Sequence, residues 1–291
     1  MFRMKFRNFF DISDLTKEEL LFILNLESDK KSLTNMNLGT IYEKYSTRTR
    51  LSFAVAISIL GGNRIDIRFD ELNISREESF EDTFKAMSCY LDGLIYRTSS
   101  HENLINASKY FDKPMINALS ERSHPCQTLG DLITLKERFG NLNLNILWMG
   151  DINNVTYSLI QAANLIDEIN LTICCPPEIS KKVSLNLNNN IKIIEHIGDI
   201  DLSKILCVMT DVFISMNDAN DLDKSNLLKN YSVNMDLMSK CNSESVFMHC
   251  LPAKVGLEVS DDVFRSSHSI VWRQAYNRMI AQKKLLQFIY Q

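Results

Sequence analysis

Short apolar runs alternate along this chain with longer segments whose apolar residues recur at helical spacing, and this alternation restricts the fold more than any other feature. Candidate strands are LGTIYE (38–43), NRIDIR (63–68), GLIYR (93–97), MINA (115–118), NILWMGD (145–151), NLTICCP (170–176), IKIIEHI (191–197), VFIS (212–215) and VFMHCL (246–251). Candidate helices cover 15–26, 49–60, 79–90, 101–111, 126–139, 155–166 and 274–289. Strand and helix taking turns in this way predict an α/β protein with parallel sheets. Two such series fit end to end, so the expectation is two domains, each a parallel sheet flanked by helices. The long helix at 126–139, followed by polar GNLNLN, is the passage between them, and the Asn-rich stretch at 185–190 is a loop. With 291 residues, 45% of them hydrophobic, the chain is long and apolar enough for two cores.

A net charge of −4 gives no general reason to expect nucleic acid or an anionic membrane as partner. Any anion site must therefore be local. The N-terminal MFRMKFRNFFDISDLTKEELLFIL is interrupted by acidic and capping residues, which does not read as a signal peptide. No apolar run of about 18 residues is present, so no transmembrane helix is expected. Seven cysteines at irregular spacing, without a CxxC pair, read as free thiols of a cytoplasmic protein and not as metal ligands.

Residues 44–52 read KYSTRTRLS and lie where a strand gives way to a helix. Thr47 suits the N-cap position, with Gly61 and Gly62 at the far end. A helix N-terminus offers free N–H groups and about half a positive charge. Hydroxyls from Ser46, Thr47 and Thr49 and guanidinium groups from Arg48 and Arg50 could complete a phosphate cradle. Taken alone, the stretch is also consistent with an ordinary capped helix whose arginines face solvent. Successive helical residues diverge by about 100°, so both arginines need not touch one ligand. One of them could instead hold the site's carboxylates or a neighbouring subunit.

Four further segments end strands or open helices, where α/β proteins place ligands. They are IYRTSS with Arg97, SHPCQTLGD with His124 and Gln127, WMGDINNVTYS with Asn153 and Asn154, and MHCLPA with His249 and Cys250. The ordered set STRTR, YRT, HPCQ, GDINNV, DVFISM and HCLPA resembles the aspartate/ornithine carbamoyltransferase family over nearly the whole chain. HPCQ, GDINNV, the SM pair and HCLP are similar to its ornithine branch; an aspartate enzyme is expected to show HPLPR in place of HCLPA.

The resemblance implies a carbamoyl phosphate-binding domain at 1–134, completed by a C-terminal helix at 274–291 that packs back on it, and an ornithine-binding domain at 135–273. It implies that Ser46, Thr47, Arg48 and Thr49 hold the phosphate of carbamoyl phosphate, with Arg278 also in contact. Arg97, His124 and Gln127 would reach its carbonyl oxygen and amide. Asn154 would bind the amino acid's carboxylate, with Asn153 supporting the turn. Asp211, Ser215 and the Met216 backbone would hold the α-amino end. Cys250 and the Leu251 carbonyl would sit beside the carbamoyl group and the side-chain amine, where Asp211 and Cys250 help remove a proton. Arg97, His124, Asp211 and Cys250 are the implied catalytic residues. Neither metal nor organic cofactor is implied.

The family pattern also implies a homotrimer in which the segment 70–79 reaches a neighbouring subunit's site through Asn73, where Gln or His is usual. Other departures are Ser75 and Asn217 at glycine positions, Arg273 at an acidic position, and Tyr276 at a glutamate position. They leave open a related amine, such as putrescine or N-acetylornithine, or a catalytically silent homologue.

Overall fold

The structure, a computed structural model, describes residues 7–27, 30–181, 186–214 and 222–291. It comprises two compact units: residues up to Gly130 together with Tyr276–Gln291, and Asp131–Ala275.

The first unit contains α1 (Lys17–Asn25), β1 (Asn37–Tyr42), α2 (Thr47–Ile59), β2 (Asn63–Ile67), α3 (Phe80–Ser88), β3 (Gly93–Arg97), α4 (His101–Ser108), β4 (Met115–Leu119) and the start of α5 (Pro125–Phe139). Its four strands are all parallel, in the order β2-β1-β3-β4. A capping box starts α1: the Thr16 hydroxyl accepts from the Glu19 N–H, and the Glu19 carboxylate accepts from the Thr16 N–H. The face of the sheet carrying Ile41, Leu94, Tyr96 and Met115 packs on Phe84, Leu104 and Phe111. Each such buried side chain contributes about 1.5–3 kcal/mol.

The second unit contains the rest of α5, then β5 (Leu144–Met149), α6 (Asn154–Leu165), β6 (Ile169–Cys174), α7 (Pro177–Ser180), β7 (Ile191–Ile194), β8 (Cys207–Thr210), α8 (Leu222–Leu228), α9 (Met235–Lys240), β9 (Val246–His249) and α10 (Asp261–Phe264). Its five strands are also parallel, in the order β7-β6-β5-β8-β9. The last helix, α11 (Val271–Ile289), begins in the second unit and continues into the first. There Lys284 Nζ donates to Leu24 O at 2.9 Å and Tyr290 Oη to Asp92 O at 3.1 Å. A Cβ on Gly93 would lie 1.7 Å from Tyr290 Oη, so this packing requires glycine there. The expected return of the C-terminal helix to the first domain is thus present.

In both sheets the strand order reverses beside the first strand, between β1 and β3 and between β5 and β8. Ligands of open α/β sheets bind outside the carboxyl ends of the strands at such points. Here those ends deliver Ser46 and Arg97 in one unit and Asn153 and Asp211 in the other.

Two expectations are corrected. Of VFIS, the described residues 212–214 are not a strand: the strand is Cys207–Thr210, whose last pair is Thr210 with His249. The Thr210 hydroxyl donates to Met149 O at 2.7 Å, and the chain then turns so that Phe213 is fully buried beside Gly150. The apolar character of VFI therefore serves core packing under a loop. Thr47 is not the N-cap either; it is the first helical residue, and Ser46 is the extended cap. The other ends shift by a few residues, and the short helices α7 to α10 are additions to the sequence-based pattern. No described helix is long and apolar enough to cross a membrane.

Candidate active site

In the first unit, Ser46 has no side-chain capping bond, because its hydroxyl accepts from Arg97 Nη1 at 2.9 Å. The N–H groups at the start of α2 thus receive no side-chain cap from it. Thr49 is buried and accepts from Arg278 Nη2 at 3.0 Å, which ties α2 to α11. A Cβ on Gly130 would lie 3.1 Å from Arg278 Cγ and 3.3 Å from its Cα, so α11 approaches α5 where α5 has no side chain.

His124 immediately precedes α5 and is buried, as is Gln127 in its first turn. Pro125 suits the first helical position, where its missing N–H costs nothing. Burial foremost, and then the guanidinium groups of Arg278, Arg97 and Arg48, hold the His124 pKa well below its ordinary value. The imidazole is therefore neutral at pH 7. Among the described residues Arg48 forms no ion pair, whereas Arg50 pairs with Asp66 at 3.3 Å. Asp66 also takes Arg64 at 2.7 Å and the Thr40 hydroxyl at 2.6 Å. Arg50 is thus an anchor between α2 and β2.

In the second unit, Asn153 caps α6: its side-chain oxygen accepts from the N–H groups of Val155 and Thr156 at 2.9 and 3.1 Å. That fixes its amide nitrogen, which donates to Asp211 Oδ2 at 2.8 Å. The other carboxylate oxygen, Oδ1, accepts from Cys250 Sγ at 2.9 Å. Asp211, Cys250, Leu251 and Asn154 are all half-buried. Asn153, expected only to support the turn, therefore also orients the carboxylate. Ser215, Met216 and Asn217 lie outside the described residues.

A buried polar chain sets the turn after β9. Leu251 N donates to His249 Nδ1 at 2.9 Å, so His249 carries its hydrogen on Nε2, which lies 3.3 Å from Glu258 Oε1. Glu258 also accepts from Lys254 N, and His249 N donates to Gln274 Oε1, whose amide in turn donates to Asp131. Leu251 has φ 62°, which only such external fixing makes tolerable for a residue with a Cβ. Asp211, His249 and Cys250 place ligand-type atoms within 4.8 Å of one another. His249 Nδ1 already accepts from Leu251 N. Sequence reasoning missed Glu258, Gln274 and Asp131, which as isolated polar residues carry no signal of burial.

The departures from the pattern are accommodated locally. Arg273 pairs with Glu137, its Nε donating at 2.8 Å, and Tyr276 is exposed. Asn73 is exposed at the start of a short 3₁₀ turn.

The carbamoyl-P binding domain model of aspartate/ornithine carbamoyltransferases matches residues 7–137, and the Asp/Orn binding domain model matches 142–289. The chain is 36% identical to an ornithine carbamoyltransferase of Methanosphaera stadtmanae, covering 98% of this chain and 99% of that protein. It is 37% identical to one from Prochlorococcus marinus, covering 96% and 92%. Among solved structures, the anabolic ornithine carbamoyltransferase of Campylobacter jejuni superposes with a TM-score of 0.88 at 30% identity, covering 97% of this chain and 98% of that one. The Pyrococcus furiosus enzyme gives 0.86 at 31%, covering 99% and 98%. Together with the motifs and the geometry, these matches place the chain in the aspartate/ornithine carbamoyltransferase family, in its ornithine carbamoyltransferase branch.

Proposed function

We propose that the protein transfers the carbamoyl group of carbamoyl phosphate to the δ-amine of L-ornithine, giving L-citrulline and phosphate in arginine metabolism. The observation that supports this most is the α2 N-terminus without a side-chain cap, where Arg97 reaches Ser46 and Arg278 reaches Thr49, in the same unit as the buried His124 and Gln127. Such a set suits an acyl phosphate, which needs cations for its phosphate and neutral donors for its carbonyl. The first unit then serves as the carbamoyl phosphate-binding domain (1–134 with 274–291) and the second as the ornithine-binding domain (135–273).

In this reading Ser46, Thr47, Arg48 and Thr49, with Arg278, hold the phosphate through hydroxyls, N–H groups and charge. Arg97 and His124 donate to the carbonyl oxygen, and Gln127 orients the amide. The carbonyl oxygen gains charge as the amine attacks, and each preorganised donor there is worth about 3 kcal/mol. Asn154 takes the ornithine carboxylate, and Asp211, Ser215 and Met216 hold its α-amino end. The δ-ammonium, with a lysine-like pKa near 10, must first lose a proton. Asp211 and Cys250, beside the Leu251 carbonyl, supply an acceptor environment for it. The neutral nitrogen adds to the carbonyl carbon to give a tetrahedral species, the C–O bond to phosphate breaks with the electron pair leaving on phosphate, and the proton the nitrogen sheds passes to that phosphate. No metal or organic cofactor takes part. The assembly in this proposal is a cytoplasmic homotrimer, with Asn73 contributed to a neighbouring site.

The test is product formation from carbamoyl phosphate with ornithine, beside putrescine and N-acetylornithine. Citrulline from ornithine alone is expected. Product from another amine but not from ornithine would overturn the substrate assignment.

A further inference from the structure

Four consecutive residues precede His124, and they are tied to His101, to Phe10 and Asp11, and to Asn117 of β4. Ser120 Oγ lies 2.8 Å from His101 Nδ1, in a fully buried contact. Glu121 Oε2 accepts from the His101 backbone N–H at 2.6 Å. Arg122 lies 3.7 Å from Asp11 Oδ2, which is itself 3.8 Å from His101 Nε2. Ser123 Oγ accepts from Asn117 Nδ2 at 3.0 Å and donates to Phe10 O at 3.3 Å.

The proton arrangement follows from chemistry. Asp11 favours the hydrogen of His101 on Nε2, which leaves Nδ1 to accept. Ser120 Oγ also accepts from Ser123 N at 3.3 Å and from the Asn117 amide at 3.5 Å. Burial, the largest cause, lowers the His101 pKa; Arg122 acts the same way, while Asp11, Glu121 and Asp14 oppose it. A neutral ring is the form that can accept from Ser120. Asp11, His101, Asn117, Ser120 and Ser123 are all buried, Ser120 at 0% exposure, whereas Glu121 and Arg122 lie at the surface.

We propose that His101 is a positioning residue for the transfer reaction, holding through Ser120 and Asp11 the turn that sets the placement of His124. The proposal rests on the role given to His124 above. A shift of about 1 Å in a reacting group can cost about 100-fold in rate. In the full chain, His101→Ala and Ser120→Ala should therefore each lower kcat by about 10- to 100-fold, with KM for ornithine unchanged. His101→Asn places an amide acceptor where Nδ1 was and should restore most of the rate. His101→Gln, whose amide reaches the Nε2 position instead, should not.

A second readout does not depend on turnover. In ¹⁵N-histidine-labelled protein, the His124 ring signal should move in His101→Ala and Ser120→Ala and return in His101→Asn, with the His249 signal fixed throughout. If the wild type makes no citrulline, the function proposed above fails while this measurement still decides the positioning role. Wild-type kinetics in His101→Ala, or an unmoved His124 signal, would overturn the inference. So would a His101→Asn protein as impaired as the alanine variant. Should His101→Ala not fold, Ser120→Ala and His101→Asn carry the test.

Discussion

Replacing Asp211 with asparagine changes one charge and almost no volume, and the structure says how the new side chain must sit. The two carboxylate oxygens accept from Asn153 Nδ2 at 2.8 Å and from Cys250 Sγ at 2.9 Å. Asn153 cannot flip, because its oxygen caps α6 through Val155 and Thr156. The amide oxygen introduced by Asp211→Asn must therefore face Asn153, and its NH₂ must face the thiol, a weak acceptor. The fold loses roughly one charge-assisted bond and keeps a neutral one, a cost of about 1 kcal/mol. An ornithine ammonium loses more, since its bond to a carboxylate becomes a bond to an amide. Hydrogen bonds to charged groups are worth about 1.5–3 kcal/mol, or about 10- to 100-fold. Steady-state citrulline formation in Asp211→Asn, with carbamoyl phosphate saturating, should show kcat/KM for ornithine reduced by that factor. KM for carbamoyl phosphate should stay within about twofold of wild type. An unchanged ornithine dependence, or a defect confined to carbamoyl phosphate, would refute the assignment of Asp211 to the amine.

The two arginines of STRTR should behave differently. Arg48→Ala should abolish activity with little loss of thermal stability, because its partner is a ligand; wild-type activity would sink the phosphate role. Arg50→Ala removes one half-exposed pair, worth at most about 1 kcal/mol, and leaves Asp66 bonded to Arg64 and Thr40, so activity should persist within about fivefold. Gly130→Ala puts a methyl against the Arg278 backbone, destabilises by about 1–3 kcal/mol, and should raise KM for carbamoyl phosphate while leaving that for ornithine alone. For pH, the folded pKa of His124 lies well below the ordinary histidine value of 6.5. Below that pH the unfolded chain takes up a proton that the folded chain refuses, so this stability is complete above about pH 7.5 and is lost as pH falls through about 6.5. His101 adds in the same direction. The melting temperature of His124→Gln should therefore fall less steeply than wild type between about pH 7 and 5.5, and identical slopes would contradict the assignment.

Much of this was readable in the chain because a buried parallel strand is a short continuous apolar run, as GLIYR is for β3. The motif residues of the site were readable because they fall where such runs end. What could not be read is pairing. Arg50 meets Asp66 only because β1 and β2 are neighbours with Thr40 opposite Asp66, a register set by the whole sheet. Thr49 and Arg278 are 229 residues apart. Glu258 looks like a surface acid until it is found fully buried beside His249. VFIS misleads because β-branched and aromatic residues serve equally in a strand or under a loop, whereas CVMT, less strand-like in composition, carries the register that ends just before Asp211.

The central claim is that this chain carries a carbamoyl group from phosphate to the δ-nitrogen of ornithine. Carbonyl-¹³C-labelled carbamoyl phosphate, incubated with the protein and ornithine and followed by NMR, tests it directly. The account predicts a ureido carbon bonded to the δ-nitrogen, appearing in step with inorganic phosphate. Label found only in hydrolysis products, or on the α-nitrogen, would contradict it.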